Sequence, residues 1–209
     1  MKEICKHCNT EYKSVGTHWG HSPEHQPKLT KKQYDILLGF LMSDGSIGKR
    51  SRNSPRYIIE LSNKEAIYWL GNILSNQYIN ISKNERSVGK NSWRLTFSHH
   101  QFKDFVSWYN DGEKKYPKIK LTPWIMSAWY AGDGGLNNPN SGRKEVQCRI
   151  RCMNEMKDWS TVNSILSTLP MDVSPTYTKR GNISFGWEDT IEMLNYMPVV
   201  GGYEYKWTL

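Results

Sequence analysis

A nine-residue apolar stretch occurs twice in this chain, and the pair constrains the fold more than any other feature. Leu37-Leu38-Gly39-Phe40-Leu41-Met42-Ser43-Asp44-Gly45 is answered about 90 residues later by Met126-Ser127-Ala128-Trp129-Tyr130-Ala131-Gly132-Asp133-Gly134. Each copy mixes large apolar with small residues and closes on Asp-Gly. Each follows a helix-start signal: Thr30 stands three residues before Gln33, a capping-box spacing, and Thr122 directly precedes Pro123. The apolar side chains cover nearly the whole helical circumference, which predicts two helices buried on all sides. Gly45 and Gly134 are expected as left-handed residues at the helix C-termini.

The segments around the two stretches repeat as well. The first copy is followed by strand patterns at Ser46-Ile47 and 56–62, a helical pattern at 65–76, strands at 79–81 and 93–98, and a helical pattern at 102–109. After the second copy come a polar turn at 137–144, a strand at 146–152, a helix at 159–169, a strand pair at 176–178 and 182–187, and a helix at 190–196. Both halves are assigned the order αββαββα. The expected division is a metal-binding module at 1–28 and halves at 29–118 and 119–209, with Asp111–Lys120 as the linker.

Composition narrows the partner. A formal charge of +8, with 9 Trp and 12 Tyr interleaved among the basic residues, points to an anionic partner, with nucleic acid first. No apolar run approaches a membrane span, and no signal-peptide pattern opens the chain, so the expectation is an intracellular protein with no membrane partner. In that setting the four cysteines are expected as metal ligands or free thiols rather than disulfides. Cys148 and Cys152 share one strand face and are assigned to packing.

The first 28 residues hold Cys5, Cys8, His18, His21 and His25. The run Cys5-x2-Cys8-x12-His21-x3-His25 has the spacing of a Cys2His2 zinc finger, with Tyr12 at an aromatic core position. His18 stands where such fingers bury an apolar residue, so His18 with His25 is an alternative completion of the Zn²⁺ site. So short a module depends on its metal for folding. Whether it serves as a clasp or as a DNA contact stays open at this level.

Small residues let two helices approach closely, and Gly39, Ser43, Ala128 and Gly132 are such residues. Close packing brings Asp44 and Asp133 together at two helix C-termini, where partial negative charge already accumulates. A divalent cation with a taste for oxygen ligands, Mg²⁺ above all, relieves that repulsion and suits phosphodiester hydrolysis.

The paired motifs resemble those of the LAGLIDADG homing endonucleases of the single-chain, two-motif type. Lys115-Tyr116-Pro117, Leu121-Thr122-Pro123, Trp129 to Gly134 and Tyr203-Glu204-Tyr205-Lys206 are similar to the LAGLIDADG DNA endonuclease subfamily of introns and inteins. Leu38 and the Trp129-Tyr130 pair depart from the family pattern at packing positions. The resemblance covers 29–209 and implies an α+β fold: a duplicated αββαββα saddle of two antiparallel sheets lying along the DNA major groove. It implies a monomeric pseudodimer that cuts both strands of a long double-stranded site and leaves short 3′ overhangs. Asp44 and Asp133 match its metal-binding acids, with Gly45 and Gly134 beside them, and Lys115 and Lys206 are the candidates for its basic residue near each scissile phosphate. His99 and His100 are further basic candidates.

Two-stranded ribbons fit the major groove and present alternate side chains to base edges. The candidate readers are Arg50, Arg52, Arg56, Glu60, Arg94, Arg143, Gln147, Arg149, Arg151, Lys179 and Arg180. Three functions follow in order: a site-specific double-strand endonuclease, a splicing maturase or DNA-binding regulator built on the same fold, and a zinc-dependent structural protein.

Overall fold

Residues 2–48, 55–85, 91–110, 113–114, 116, 118–137, 146–152, 159–178 and 181–209 are described by a computed structural model. They fall into two compact units, Met1–Gln33 with Gly45–Ser107, and Tyr34–Asp44 with Trp108–Leu209. The fold is α+β with antiparallel sheets. Among the described residues no helix is long and apolar enough to cross a membrane.

In the first unit, β1 (Glu3–Cys5) and β2 (Thr10–Tyr12) form a hairpin in the register Glu3↔Tyr12. Asn9 takes φ 54° in its turn, a conformation that asparagine tolerates better than most residues. Helix α1 (Val15–His21) follows, started by Ser14, whose hydroxyl accepts from Thr17 N at 3.4 Å. The main sheet has the order β3-β4-β6-β5, from β3 (Gly45–Gly48), β4 (Arg56–Leu61), β5 (Asn80–Glu85) and β6 (Asn91–Ser98). Alternation is clean along β4: Tyr57, Ile59 and Leu61 are buried, while Arg56, Ile58 and Glu60 point to the other face. Helix α3 (Lys64–Ile73) covers the apolar face with Ala66, Ile67, Leu70 and Gly71. Asn63 caps it, accepting from Glu65 N at 2.9 Å and Ala66 N at 3.3 Å.

The second unit contains most of α2 (Lys31–Met42), the short hairpin β7 (Tyr109–Asn110) and β8 (Glu113–Lys114), and α4 (Pro123–Asp133). Its sheet has the order β11-β12-β10-β9, from β9 (Gly134–Asn137), β10 (Gln147–Arg151), β11 (Thr176–Tyr177) and β12 (Asn182–Ser184). Counted from its first strand, each sheet runs one-two-four-three, the topological signature of the expected duplication. Helices α5 (Trp159–Leu166) and α6 (Trp187–Tyr196) complete the repeat.

Both start signals act as the sequence predicts. Thr30 N donates to Gln33 Oε1 at 2.9 Å and Gln33 N to Thr30 Oγ1 at 3.2 Å, a reciprocal capping box. Thr122 Oγ1 accepts from Ile125 N at 3.3 Å and donates to the buried Asp35 of α2 at 2.9 Å. Helix α4 is buried continuously from Ile125 to Ala131, and α2 from Asp35 to Met42. A Cβ on Gly39 would lie 2.2 Å from Ile125 O and 2.7 Å from Ala128 Cβ, and one on Gly132 would lie 2.2 Å from Ser43 Oγ. The helices therefore meet the neighbouring backbone at Gly39, and at Gly132 the close neighbour is the Ser43 side chain just beyond α2. Leu38 and Trp129, despite their bulk, are buried in the same packing.

Three expectations need correction. Gly45 and Gly134 are not left-handed caps: Gly45 opens β3, and Gly134 is extended at φ −97° and ψ 169°. At Gly134 helix runs straight into strand, whereas Ser43 and Asp44 form a turn before Gly45. Gly134 is required for space instead, since its Cβ would lie 2.1 Å from the Tyr130 ring. The helix expected at 102–109 is a 3-10 segment, His100–Trp108. Phe102, Phe105 and Trp108 are buried at intervals of three, the period at which 3-10 side chains eclipse. Strand β9 has no pattern of its own; its pairing with β10, Gln147↔Asn137 to Ile150↔Gly134, is set by the partner.

Gly39→Ala is expected to lower unfolding free energy by about 1–3 kcal/mol through overpacking at Ile125 O, read by chemical denaturation. Gly20→Ala, in α1 with nothing within 4 Å of the added methyl, is expected to be neutral or slightly stabilising.

Candidate functional site

The helix pair ends in two carboxylates. Asp44 lies two residues beyond the last residue of α2, and Asp133 is the last residue of α4. A Cβ on Gly132 would sit 3.3 Å from Asp44 Oδ2, so the backbone just before Asp133 runs close to the Asp44 carboxyl. Two lysines join them. Lys206, in the 3-10 turn Glu204–Trp207, donates from Nζ to Ala131 O at 2.6 Å and to Gly134 O at 2.7 Å. Lys114, in β8, donates to Ser43 O at 2.7 Å. Each ammonium thus sits on carbonyls at the end of one motif helix, where the helix dipole favours a cation.

The electrostatics is that of a crowded cluster. The Asp44 side chain stays open to solvent on one side, yet protein packs the other. That desolvation raises its pKa, and Lys206 and then Lys114 counter the rise. Lys206 is shifted downward by burial, opposed by Asp44 first and Asp133 second, so one ammonium interacts with both acids. Tyrosines fix the lysine-bearing segments: Tyr130 Oη donates to Lys206 O at 2.8 Å, and Tyr116 Oη donates to Met42 O at 2.5 Å. The two carboxylates are oxygen donors of the kind that a hard divalent metal takes.

Of the two sequence candidates for a basic partner, Lys206 lies at the end of α4 within electrostatic reach of both acids, and Lys115 lies outside the described residues. Lys114 has no signal of its own in the sequence. Only its neighbour Lys115, beside Tyr116, carried a family signal.

The polar faces of the two sheets hold the described base-reading candidates. On the first, Arg56 Nη2 donates to Thr96 Oγ1 at 3.1 Å. Arg94 grips Glu60 Oε2 with Nε at 3.1 Å and Nη2 at 2.8 Å. Glu60 Oε1 also accepts from Ser92 Oγ at 2.6 Å and Asn84 Nδ2 at 3.3 Å. On the second, Gln147, Arg149 and Arg151 alternate along β10 with buried Cys148 and Ile150, and Arg149 Nη2 donates to Gln147 Oε1 at 3.1 Å. Arg149 Nε is buried without a hydrogen-bond partner among the described residues. Arg50, Arg52, Arg143, Lys179 and Arg180 lie outside the described residues.

A second constellation stands at the N-terminus. Cys5, Cys8, His18 and His25 each place one ligand atom within 4.8 Å of the others. His18 Nε2 is 3.6 Å from Cys8 Sγ and 2.9 Å from His25 Nδ1. His21 does not join them; it is exposed on α1. The spacing Cys5-x2-Cys8-x9-His18-x6-His25 is the one realised, because α1 turns His18 toward the hairpin and the turn at Pro23–His25 brings His25 back. The Tyr12 hydroxyl, 3.6 Å from Cys8 Sγ, is the main cause that lowers the Cys8 thiol to about 6. Two sulfurs and two imidazoles with a ready thiolate suit a tetrahedral metal such as zinc.

Of the two histidines after β6, His99 holds backbone groups of its own unit. Buried His99 holds Pro27 O at 3.1 Å through Nε2 and accepts from Gln101 N at 3.2 Å through Nδ1. Burial lowers its pKa to about 4, which keeps it neutral.

The sequence profile of the LAGLIDADG DNA endonuclease family matches residues 34–190. The chain belongs to that family. Among curated proteins, Protein RecA of Mycolicibacterium chitae is 28% identical over 137 residues, which are 56% of this chain and 29% of that protein. The chain thus spans less than a third of this relative. Among solved structures, the homing endonuclease I-WcaI bound to its DNA recognition sequence is similar with a TM-score of 0.73, 16% identity and 91% coverage of both chains. Full-length DUF199/WhiA from Thermatoga maritima gives a TM-score of 0.52 at 14% identity, covering 83% of this chain and 57% of that one. A point variant of I-DmoI in complex with its target DNA in the presence of manganese gives 0.50 at 15%, covering 79% and 93%. These structures share the LAGLIDADG fold with this chain, and the Cys/His cluster lies before the matched residues.

Because the charged form of Asp44 is disfavoured in the folded state, its penalty is full above the raised pKa and vanishes below the ordinary carboxylate range. Asp44→Asn is therefore expected to melt above the parent protein at neutral pH. The difference should close as pH falls through that range, as followed by thermal denaturation at stepped pH.

Proposed function

We propose that this chain is a monomeric, site-specific endonuclease that hydrolyses both strands of a long double-stranded DNA target. The observation that carries the reading is the pair of carboxylates at the ends of two helices in backbone contact, both coupled to Lys206. Membership of the LAGLIDADG DNA endonuclease family and the likeness in fold to a homing endonuclease bound to its recognition sequence support it.

A Mg²⁺ held by Asp44 and Asp133, beside Gly45 and Gly134, would supply an activated water and charge neutralisation at the leaving oxygen. The chain's own groups do the rest. The packed helices fix the carboxylates and cost no reorganisation when charge develops. Lys206 and Lys114, already partly desolvated or anchored on helix carbonyls, offer positive charge to the phosphates flanking the reacting bonds. Each sheet offers its polar face to the major groove of one half of the target. The clamp of Arg94 on Glu60 directs an arginine that would otherwise sample many rotamers, which favours base reading over loose phosphate contact. A match confined to under a third of a longer protein accords with an element that resides within a host gene.

With the intronless or inteinless junction of the host gene as substrate, cleavage is expected to require Mg²⁺ and to fall about 100-fold or more in Asp44→Asn or Asp133→Asn. Retained cleavage in either folded variant refutes the assigned centre, and tight binding by the unmodified protein without any cleavage assigns it to the splicing or regulatory branch of the fold.

The N-terminal module is proposed to hold one zinc through Cys5, Cys8, His18 and His25. Elemental analysis should find one zinc per chain, kept in His21→Ala and lost in His18→Ala and His25→Ala.

A further inference from the structure

The Cys/His cluster uses one side of α1 and leaves the rest of that helix unexplained. Gly16 and Gly20 lie four residues apart, one above the other on the same helical face. Gly16 is packed against Tyr78, where a Cβ would come 2.4 Å from the ring. Gly20 has nothing within 4 Å. The helix is therefore propped on Tyr78 at one end and stands clear of its surroundings at the other.

The space left is a groove of about 660 Å³ within the first unit. One wall is α1, with Thr17, Gly20 and His21. The other is the polar face of the sheet, with Arg56, Asn80 and Thr96. Among the described residues no carboxylate lines it. A second cavity against the same module, about 710 Å³, mixes Glu3 and Glu24 with Lys6 and Lys28, so its lining does not select an anion by charge. The groove also continues the face that carries Arg56, Glu60 and Arg94.

The module is fixed in this position by buried polar bonds. Gln26 Nε2 donates to Ser98 O at 2.8 Å and to Gln77 Oε1 at 3.3 Å, and Gln77 Nε2 donates to Pro27 O at 2.8 Å. His99 takes the same Pro27 carbonyl, and Leu29 N donates to Gln101 Oε1 at 2.9 Å. A wall held this firmly loses little entropy when it binds.

We propose that the groove between α1 and the polar sheet face binds the sugar–phosphate backbone of duplex DNA that flanks the core target, so that the N-terminal module lengthens the recognised site at one end only. This rests on the reading of the chain as a DNA-binding endonuclease. Thr17 and His21 donate to phosphate oxygens from α1, and Arg56 faces them from the sheet. Contacts of this kind set position and affinity and carry little base information.

The probe is a pool of randomised duplexes of about 40 base pairs, presented without added divalent cation and followed by footprinting of the best-bound sequence. The chain with Thr17→Glu and His21→Glu is expected to lose about half a helical turn of protection at one flank only. It should bind about 10-fold more weakly, and its salt dependence should be shallower by about one counterion for each phosphate it no longer holds. Gly20→Lys, placed in open space, is expected to bind more tightly with a steeper salt dependence. Equal metal content in all three proteins verifies that the module is folded. Unchanged protection and affinity in both variants overturn the flank-binding proposal while leaving the endonuclease reading intact. A parent protein that binds no member of the pool overturns both.

Discussion

The backbone contact of α2 with α4 is the constraint on which the functional part of this protein depends. Even a methyl group would collide with the neighbouring helix at Gly39, and with Ser43 just beyond α2 at Gly132. The two helices therefore take one crossing and one relative height. Their C-terminal ends, and with them Asp44 and Asp133, follow from that crossing. The charge is balanced at the same spot by lysines that double as helix-end donors, so the electrostatic and packing requirements are met by the same few residues. Crowding that raises the Asp44 pKa marks a position where folding and chemistry pull in opposite directions.

Much of this was legible in the sequence because it was written in small residues and caps. The doubled Gly/Ser/Ala pattern predicted the close approach, and Thr30–Gln33 and Thr122–Pro123 predicted where the helices start. What stayed hidden was decided by partners distant in the chain. Strand β9 reads as nothing until β10 lies beside it. Lys114 has no local signal that distinguishes it from Lys115, and only the path of the β7–β8 hairpin selects it. His18 displaced His21 from the ligand cluster because the turn at Pro23–His25 is not that of a standard finger helix, which the Cys and His spacing alone cannot express. The face of each strand, by contrast, follows from simple alternation once the buried side is known.

The N-terminal module shows how a small metal-dependent segment gains rigidity it could not build for itself. Its own core is little more than Cys5 and Val15. Buried amides and one neutral imidazole tie it to the sheet, each satisfying backbone groups that would otherwise be stranded away from water. Such polar contacts are direction-specific, and they set the orientation of α1 more closely than apolar packing of the same area would.

The path of α2 has a consequence for how the chain comes into being. The chain leaves the first unit at Tyr34, returns to it at Gly45 and leaves again at Trp108. On a ribosome, the Ile36–Met42 part of α2 emerges apolar on every side while its partner α4 is still about 80 residues from synthesis. Until α4 arrives, that surface has no native cover. A chaperone or a transient non-native contact must shield it, and the close-packed core of the second unit can condense only after nearly the last element has been made.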